Sequence, residues 1–332
     1  MSGFEPRLRL QNRPRGVKPE TQRRESDYNE STMGQGRVGG AMDWLRSAKD
    51  RFRAFAYGEQ GEKRERPRVG LALGGGFARG IAHIGLLRVF QEAKIPIDCV
   101  AGTSVGALIG AGYCAGASLS TMQEVGATTS FTDFGRWTPS WLGLATNQRM
   151  EKYLTRLTPL KTFEELKTPL AIATTDINAG VTVYYSSGPI ATPLRASCAY
   201  PGLFVPIQYD GRTLVDGFLT SPVPVEGAAM LGADIVIAVY LEAGNIENPR
   251  TVADVIGRAF NIIQRYADVT WRQQADLIIE PDVEGMAWDD FSRTPELVRA
   301  GEAAAMKALP QIRALLNGER DATTELRALR RE

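Results

Sequence analysis

Ser104 lies in the run Gly102-Thr103-Ser104-Val105-Gly106, and Asp216 is followed by Gly217. Upstream of both stands Leu73-Gly74-Gly75-Gly76-Phe77-Ala78-Arg79-Gly80. Together the three stretches hold a hydroxyl that can attack a carbonyl, a carboxylate that can take its proton, and main-chain amides that can receive the resulting negative oxygen. Gly-x-Ser-x-Gly suits a nucleophile because a sharp strand-to-helix turn brings flanking positions against backbone, where Gly102 and Gly106 avoid collision. A helix starting near Val105 adds positive potential beside the hydroxyl. Each motif alone has a plainer reading, a capping serine or an Asp-Gly turn. The case rests on their combination.

Two anions suit the glycine run, which follows a strand and opens a helix. A dinucleotide pyrophosphate needs Gly-x-Gly-x-x-Gly. Reading back from Gly80, however, puts Gly75 first and Phe77 where the second glycine belongs. No Gly-Lys-Ser/Thr is present, which excludes a P-loop. The remaining ligand is the oxyanion of a tetrahedral acyl intermediate, with amides of Gly75, Gly76 and Phe77 as its expected donors. His83 is the chain's one histidine. Its neighbours Ile81, Ile84 and Leu87 are apolar, so a packed or capping role is expected, leaving Asp216 as the base for Ser104. One histidine and no clustered carboxylates offer few metal ligands. No metal or organic cofactor is expected.

The elements that must hold these groups follow from short apolar runs and helical spacing. Val69 to Leu73 reads as a buried strand ahead of the glycine turn, and Gly80 to Ala93 as the helix behind it. Asp98 to Ala101 and Val105 to Ala115 repeat the pattern around Ser104. Further strands are expected at Leu170 to Thr175, Val181 to Tyr185, Arg212 to Val215, Ile235 to Tyr240 and Leu277 to Glu280. Helices are expected near Gln148 to Leu157, Ile190 to Cys198, Val223 to Leu231, Thr251 to Gln274 and Thr294 to Leu316. Such alternation implies an α/β fold with a mainly parallel sheet covered on both faces.

Of 332 residues, the first 66 carry 15 Lys/Arg against 10 Asp/Glu, whereas the rest are mildly acidic. Residues 1–40 are polar, Arg-rich and glycine-punctuated, and are expected to be disordered. Residues 41–66 comprise a basic amphipathic helix over 41–57 and a charged linker. That helix could lie on an anionic membrane surface or pack on its own domain. A hydrolase domain is expected over 67–316, and a charged tail over 317–332. Cys99, Cys114 and Cys198 are too dispersed for a disulfide framework and read as buried thiols in a reducing, cytoplasmic setting. No apolar run reaches the length of a membrane span. Trp137, Trp141, Leu142 and Leu144 form an aromatic, apolar connection that reads either as a wall meeting lipid or as ordinary core cover. No nucleic-acid partner is expected, and the sequence sets no oligomeric state.

On these residues the chain resembles the patatin-like phospholipases, in particular the bacterial branch related to the catalytic domain of neuropathy target esterase. The matching stretches are Leu71 to Leu87, Val100 to Gly110, Ala191 to Phe204, Leu214 to Val225 and Ala275 to Phe291. The resemblance implies a three-layer α/β/α fold and hydrolysis of lipid acyl esters, with Ser104 as nucleophile and Asp216 as base. It departs from the family pattern at Phe77, where a fourth glycine is usual, and at Phe218, where Gly or Ala is usual. Both rings are expected to narrow the cleft. A regulatory adaptor keeping the scaffold without catalysis is the alternative from another class.

Overall fold

The protein is described by a computed structural model, which covers residues 66–319 apart from 130–132, 134, 152–154, 156–160, 243–254, 261 and 263–268. The expected N-terminal disorder, the helix over 41–57 and most of the C-terminal tail lie outside the described residues. So do parts of the helices expected near 148–157 and 251–274.

The first element among the described residues is strand β1 (Val69–Leu73), followed by the glycine loop, a 3-10 turn (Phe77–Ile81) and helix α1 (Ala82–Glu92). Then come β2 (Cys99–Thr103), α2 (Val105–Ala115), α3 (Leu119–Ala127) and the hairpin strands β3 (Arg136–Ser140) and β4 (Gly143–Thr146). Next are β5 (Leu170–Asp176), β6 (Val181–Tyr185), α4 (Ala191–Ser197), β7 (Gly202–Phe204), β8 (Ile207–Tyr209) and β9 (Arg212–Asp216). Finally α5 (Val225–Met230), β10 (Ile235–Val239), α6 (Val269–Gln274), β11 (Leu277–Ile279) and α7 (Thr294–Leu316) close the sequence of elements.

The main sheet runs β11-β10-β1-β2-β5-β9-β8, with β6 also paired to β5. The β11-β10, β10-β1, β1-β2 and β2-β5 pairs are parallel, and β6, β8 and β9 add an antiparallel end. Both faces are covered, which gives the three-layer α/β/α fold and explains why β1, β2, β5 and β10 are buried at every residue rather than at alternate ones. Alternation sorts large from small side chains instead. Leu71, Leu73, Ile235, Ile237, Val239 and Val100 pack into one core with α1, α2 and α7. Ala72, Cys99, Ala101, Val236 and Ala238 face the second, with Ala228, Leu231 and Trp271. Small residues on that second face let the short helix α5 sit close, and a Cβ on Gly70 would come within 2.6 Å of the Ala233 Cβ. On the first face, a Cβ on Gly85 would strike the Val298 carbonyl and one on Gly301 the Ala82 carbonyl, so α1 and α7 cross with their backbones in near contact.

A second sheet, β3-β4-β7, was not expected. Helix α3 was also unforeseen. It starts at Ser118, whose hydroxyl accepts the Thr121 N–H at 3.1 Å in an ordinary N-cap.

Candidate active site

Strand β5 brings the serine and the aspartate together. Along one edge it pairs with β2, up to Ala173 opposite Thr103, and then with β9, starting at Thr174 opposite Asp216. The other edge over these residues is occupied by β6. Thus β2 and β9 meet head to head on adjacent residues of β5, about 3.3 Å apart along the strand. The side chains that leave this junction are Ser104 and Asp216. Ser104 Oγ donates to Asp216 Oδ2 at 2.8 Å across 112 residues of sequence.

Ser104 has φ 54 and ψ −123, between the end of β2 and the first residue of α2. A non-glycine residue there is strained by about 1 to 3 kcal/mol, and the surroundings must hold it. They do so by close packing. A Cβ on Gly102 would strike the Ala107 backbone, one on Gly106 the Leu73 carbonyl, and one on Gly80 the Val105 side chain. The Ser104 N–H donates to Ser197 Oγ at 2.8 Å, which anchors the turn to the end of α4.

Asp216 is buried. Its Oδ1 accepts the Phe218 N–H at 2.9 Å, while its own N–H donates to the Ala199 carbonyl at 3.0 Å and its carbonyl accepts the Thr175 hydroxyl at 2.9 Å. Burial raises its pKa to about 7, against the pull of the Phe218 N–H and the Ser104 hydroxyl in the opposite direction. A carboxylate so placed changes protonation near neutrality, where a general base works best. A Cβ on Gly217 would strike the Ala173 carbonyl, so the chain passes β5 too closely for any side chain.

The glycine loop is held from below. Gly74 N–H donates to Val239 O at 3.0 Å and Gly75 N–H to Pro222 O at 3.1 Å. The second bond corrects one expectation: the Gly75 amide already has an acceptor, and Gly75 serves by being small. A Cβ there would lie 3.0 Å from the Phe218 ring and 3.5 Å from the Ser104 Cβ. The N–H groups of Gly76 and Phe77 have no acceptor among the described residues. Phe77 has φ 52, unusual for its type, and is held by edge-on contacts to Tyr200 and Trp288, with ring centroids 5.2 Å and 4.9 Å away. Arg79 is buried alongside. Its Nη1 donates to the Glu242 carbonyl at 3.0 Å, and its Nε lies 3.5 Å from the Gly76 carbonyl.

His83 is fully buried under the loop, with Nε2 2.9 Å from the Gly74 carbonyl. That contact fixes the proton on Nε2. Nδ1 has no partner among the described residues, and burial pushes the ring's pKa down to about 4 despite the carbonyl contact, so the ring is neutral at pH 7. The expected packed role thus has a definite form, since the imidazole secures the glycine loop. All three cysteines are buried and free, and burial moves the Cys99 thiol up to about 12. Among the described residues no cluster of His, Cys, Asp or Glu could hold a metal ion.

Phe77 and Phe218 join Ala145, Tyr200, Leu203, Phe204, Ile256 and Phe260 in an apolar cluster beside the serine. The two rings expected to narrow the cleft therefore also build its wall. Sequence reasoning missed Ser197 and Tyr200. The one signal for Ser197 was a small polar residue inside the apolar stretch Ala191 to Phe204.

A strained serine between a parallel strand and a helix, in contact with a buried aspartate, defines an α/β protein of the serine-elbow class. Residues 71–229 match the family model described as patatin-like phospholipase. An uncharacterized NTE family protein from Mycobacterium bovis is 35% identical over 212 residues, covering 61% of this chain and 59% of that protein. Lysophospholipase nte1 from Emericella nidulans is 31% identical over 208 residues, 60% of this chain but 13% of that much longer protein. The chain thus matches only part of each relative's length. The crystal structure of VipD from Legionella pneumophila aligns with a TM-score of 0.52 at 16% identity, over 75% of this chain and 67% of that one, a likeness of fold.

Proposed function

We propose that this protein hydrolyses acyl esters of phospholipids or lysophospholipids through a Ser104–Asp216 dyad. Asp216, ionised, accepts the Ser104 proton as Oγ attacks the ester carbonyl. The oxyanion that forms is received by the Gly76 and Phe77 amides, a kind of contact worth about 3 kcal/mol per well-aimed donor. Asp216 then returns the proton to the departing alcohol. Water, deprotonated by the same carboxylate, releases the fatty acid from Ser104. The aromatic wall of Phe77, Tyr200 and Phe218 offers an apolar bed for the acyl chain.

The observation that carries this reading is the 2.8 Å contact between Ser104 Oγ and Asp216 Oδ2 at a strained turn beside two unengaged amides. The lysophospholipase named among the relatives supports the choice of substrate class. A fluorophosphonate probe tests it: wild type labels and Ser104→Ala does not, and lysophosphatidylcholine hydrolysis falls about a thousandfold or more in the variant. An inert wild type would favour the adaptor alternative.

A further inference from the structure

The β3-β4 hairpin carries a surface that the chemistry above does not use. Its strands turn at Trp141 and Leu142, directly between the paired residues Ser140 and Gly143. Tight hairpin turns favour Asn, Asp and Gly, because polar or small residues meet water there at little cost. Here the turn is a fully exposed tryptophan followed by a leucine 68% exposed, flanked by Trp137 at 66% and Leu144 at 49%. Two observations bear on what covers these side chains. Residues 135–150 contain Arg136 and Arg149 but no Asp or Glu, which suits a surface rich in phosphate. Beneath the tip, β4 pairs in parallel with β7, Gly143 opposite Gly202 and Ala145 opposite Phe204. Ala145 and Phe204 belong to the same apolar cluster as Phe77 and Phe218. The hairpin is thus paired to the strand whose Phe204 shares an apolar cluster with the wall beside Ser104.

From this placement we infer that the hairpin tip inserts into the interfacial layer of a phospholipid bilayer and delivers membrane-resident substrate to the serine. The inference rests on the proposed lipid hydrolysis. Tryptophan suits this depth because its ring is apolar and its N–H remains able to reach headgroup oxygens. Arg136, exposed on β3, would then lie at the phosphate level.

The test uses the full chain and vesicles of phosphatidylcholine with a minor fraction of phosphatidylglycerol. Trp141→Ser/Leu142→Ser should lower vesicle partitioning by sedimentation at least about tenfold, since each lost side chain removes burial worth about that factor. Its hydrolysis of vesicle-borne substrate should fall in parallel, while hydrolysis of a soluble short-chain nitrophenyl ester stays at the wild-type rate. Trp141→Phe guards against misfolding of the double variant. It should keep partitioning but lose most of the fluorescence quenching that brominated lipid produces in wild type. Unchanged partitioning in the double variant, or quenching in Trp141→Phe equal to that of wild type, overturns the inference. So does a wild-type dimer that the double variant converts to monomer without loss of vesicle binding, since the tip would then cover a second copy. Failure of soluble-ester hydrolysis in wild type would instead count against the proposed function.

Discussion

Replacing Asp216 with asparagine should remove activity and add stability, each in a pH-dependent way. In the fold this carboxyl titrates near 7 because it is buried, against 3.8 for an ordinary aspartate. The unfolded chain therefore releases this proton near pH 3.8, whereas the folded protein keeps it to about pH 7. Between these values the folded state binds the extra proton, so raising the pH lowers stability, and the decline levels off above the folded value. The separation amounts to about 4 kcal/mol. Asp216→Asn keeps the shape and an oxygen for the Phe218 N–H but has no proton to lose. It should match wild type in denaturant unfolding near pH 4 and exceed it by up to about 4 kcal/mol at about pH 8. The kinetic half mirrors this. If ionised Asp216 is the base, kcat/KM for a soluble ester rises about tenfold per pH unit below 7 and is flat above it. The asparagine variant should lose about a hundredfold to ten-thousandfold in kcat. A wild-type rate level from about pH 5 to 8, or an asparagine variant no more stable than wild type at about pH 8, would refute the reasoning.

Other consequences can be measured directly. His83→Phe should leave the Gly74 carbonyl without its imidazole partner and lower stability by about 1 to 3 kcal/mol; kcat should fall more than KM changes, because that carbonyl belongs to the loop whose Gly76 and Phe77 amides are the proposed oxyanion donors. Ser197→Ala removes the acceptor of the Ser104 N–H and should cost about 1 to 3 kcal/mol in denaturant unfolding, with slower fluorophosphonate labelling. Gly106→Ala sets a methyl group against the Leu73 carbonyl, so it should abolish labelling and lower the melting temperature. Thiol titration should find Cys99, Cys114 and Cys198 unreactive in the native protein and all reactive after unfolding.

The central strands were legible because a buried parallel strand is a short apolar run with turn residues at its ends, as Val69–Leu73 and Ile235–Val239 are. Gly202–Phe204 and Ile207–Tyr209, at three residues each, are too short to show any period; the first belongs to the missed second sheet and the other to the edge of the main one. Ser104 and Asp216 could be picked out by type and neighbouring glycines. Their pairing was expected from the motifs, but how it is achieved was not, since it depends on where β2 stops and β9 starts along β5. The same holds for the Gly75 amide, whose acceptor Pro222 lies far away in the chain. His83 was read as a packed residue and is buried, yet nothing in its apolar neighbours pointed to the Gly74 carbonyl.

The head-to-head junction on β5 also governs how this domain can diversify. Because Ser104 and Asp216 take their spacing from neighbouring rungs of a third strand, the intervening chain carries none of the geometric burden. Lengthening a surface excursion within it adds only a slowly growing closure entropy. Hairpins and covering segments can therefore be exchanged while the two side chains stay in register, and a one-residue slip of β5 would do more harm than a long insertion.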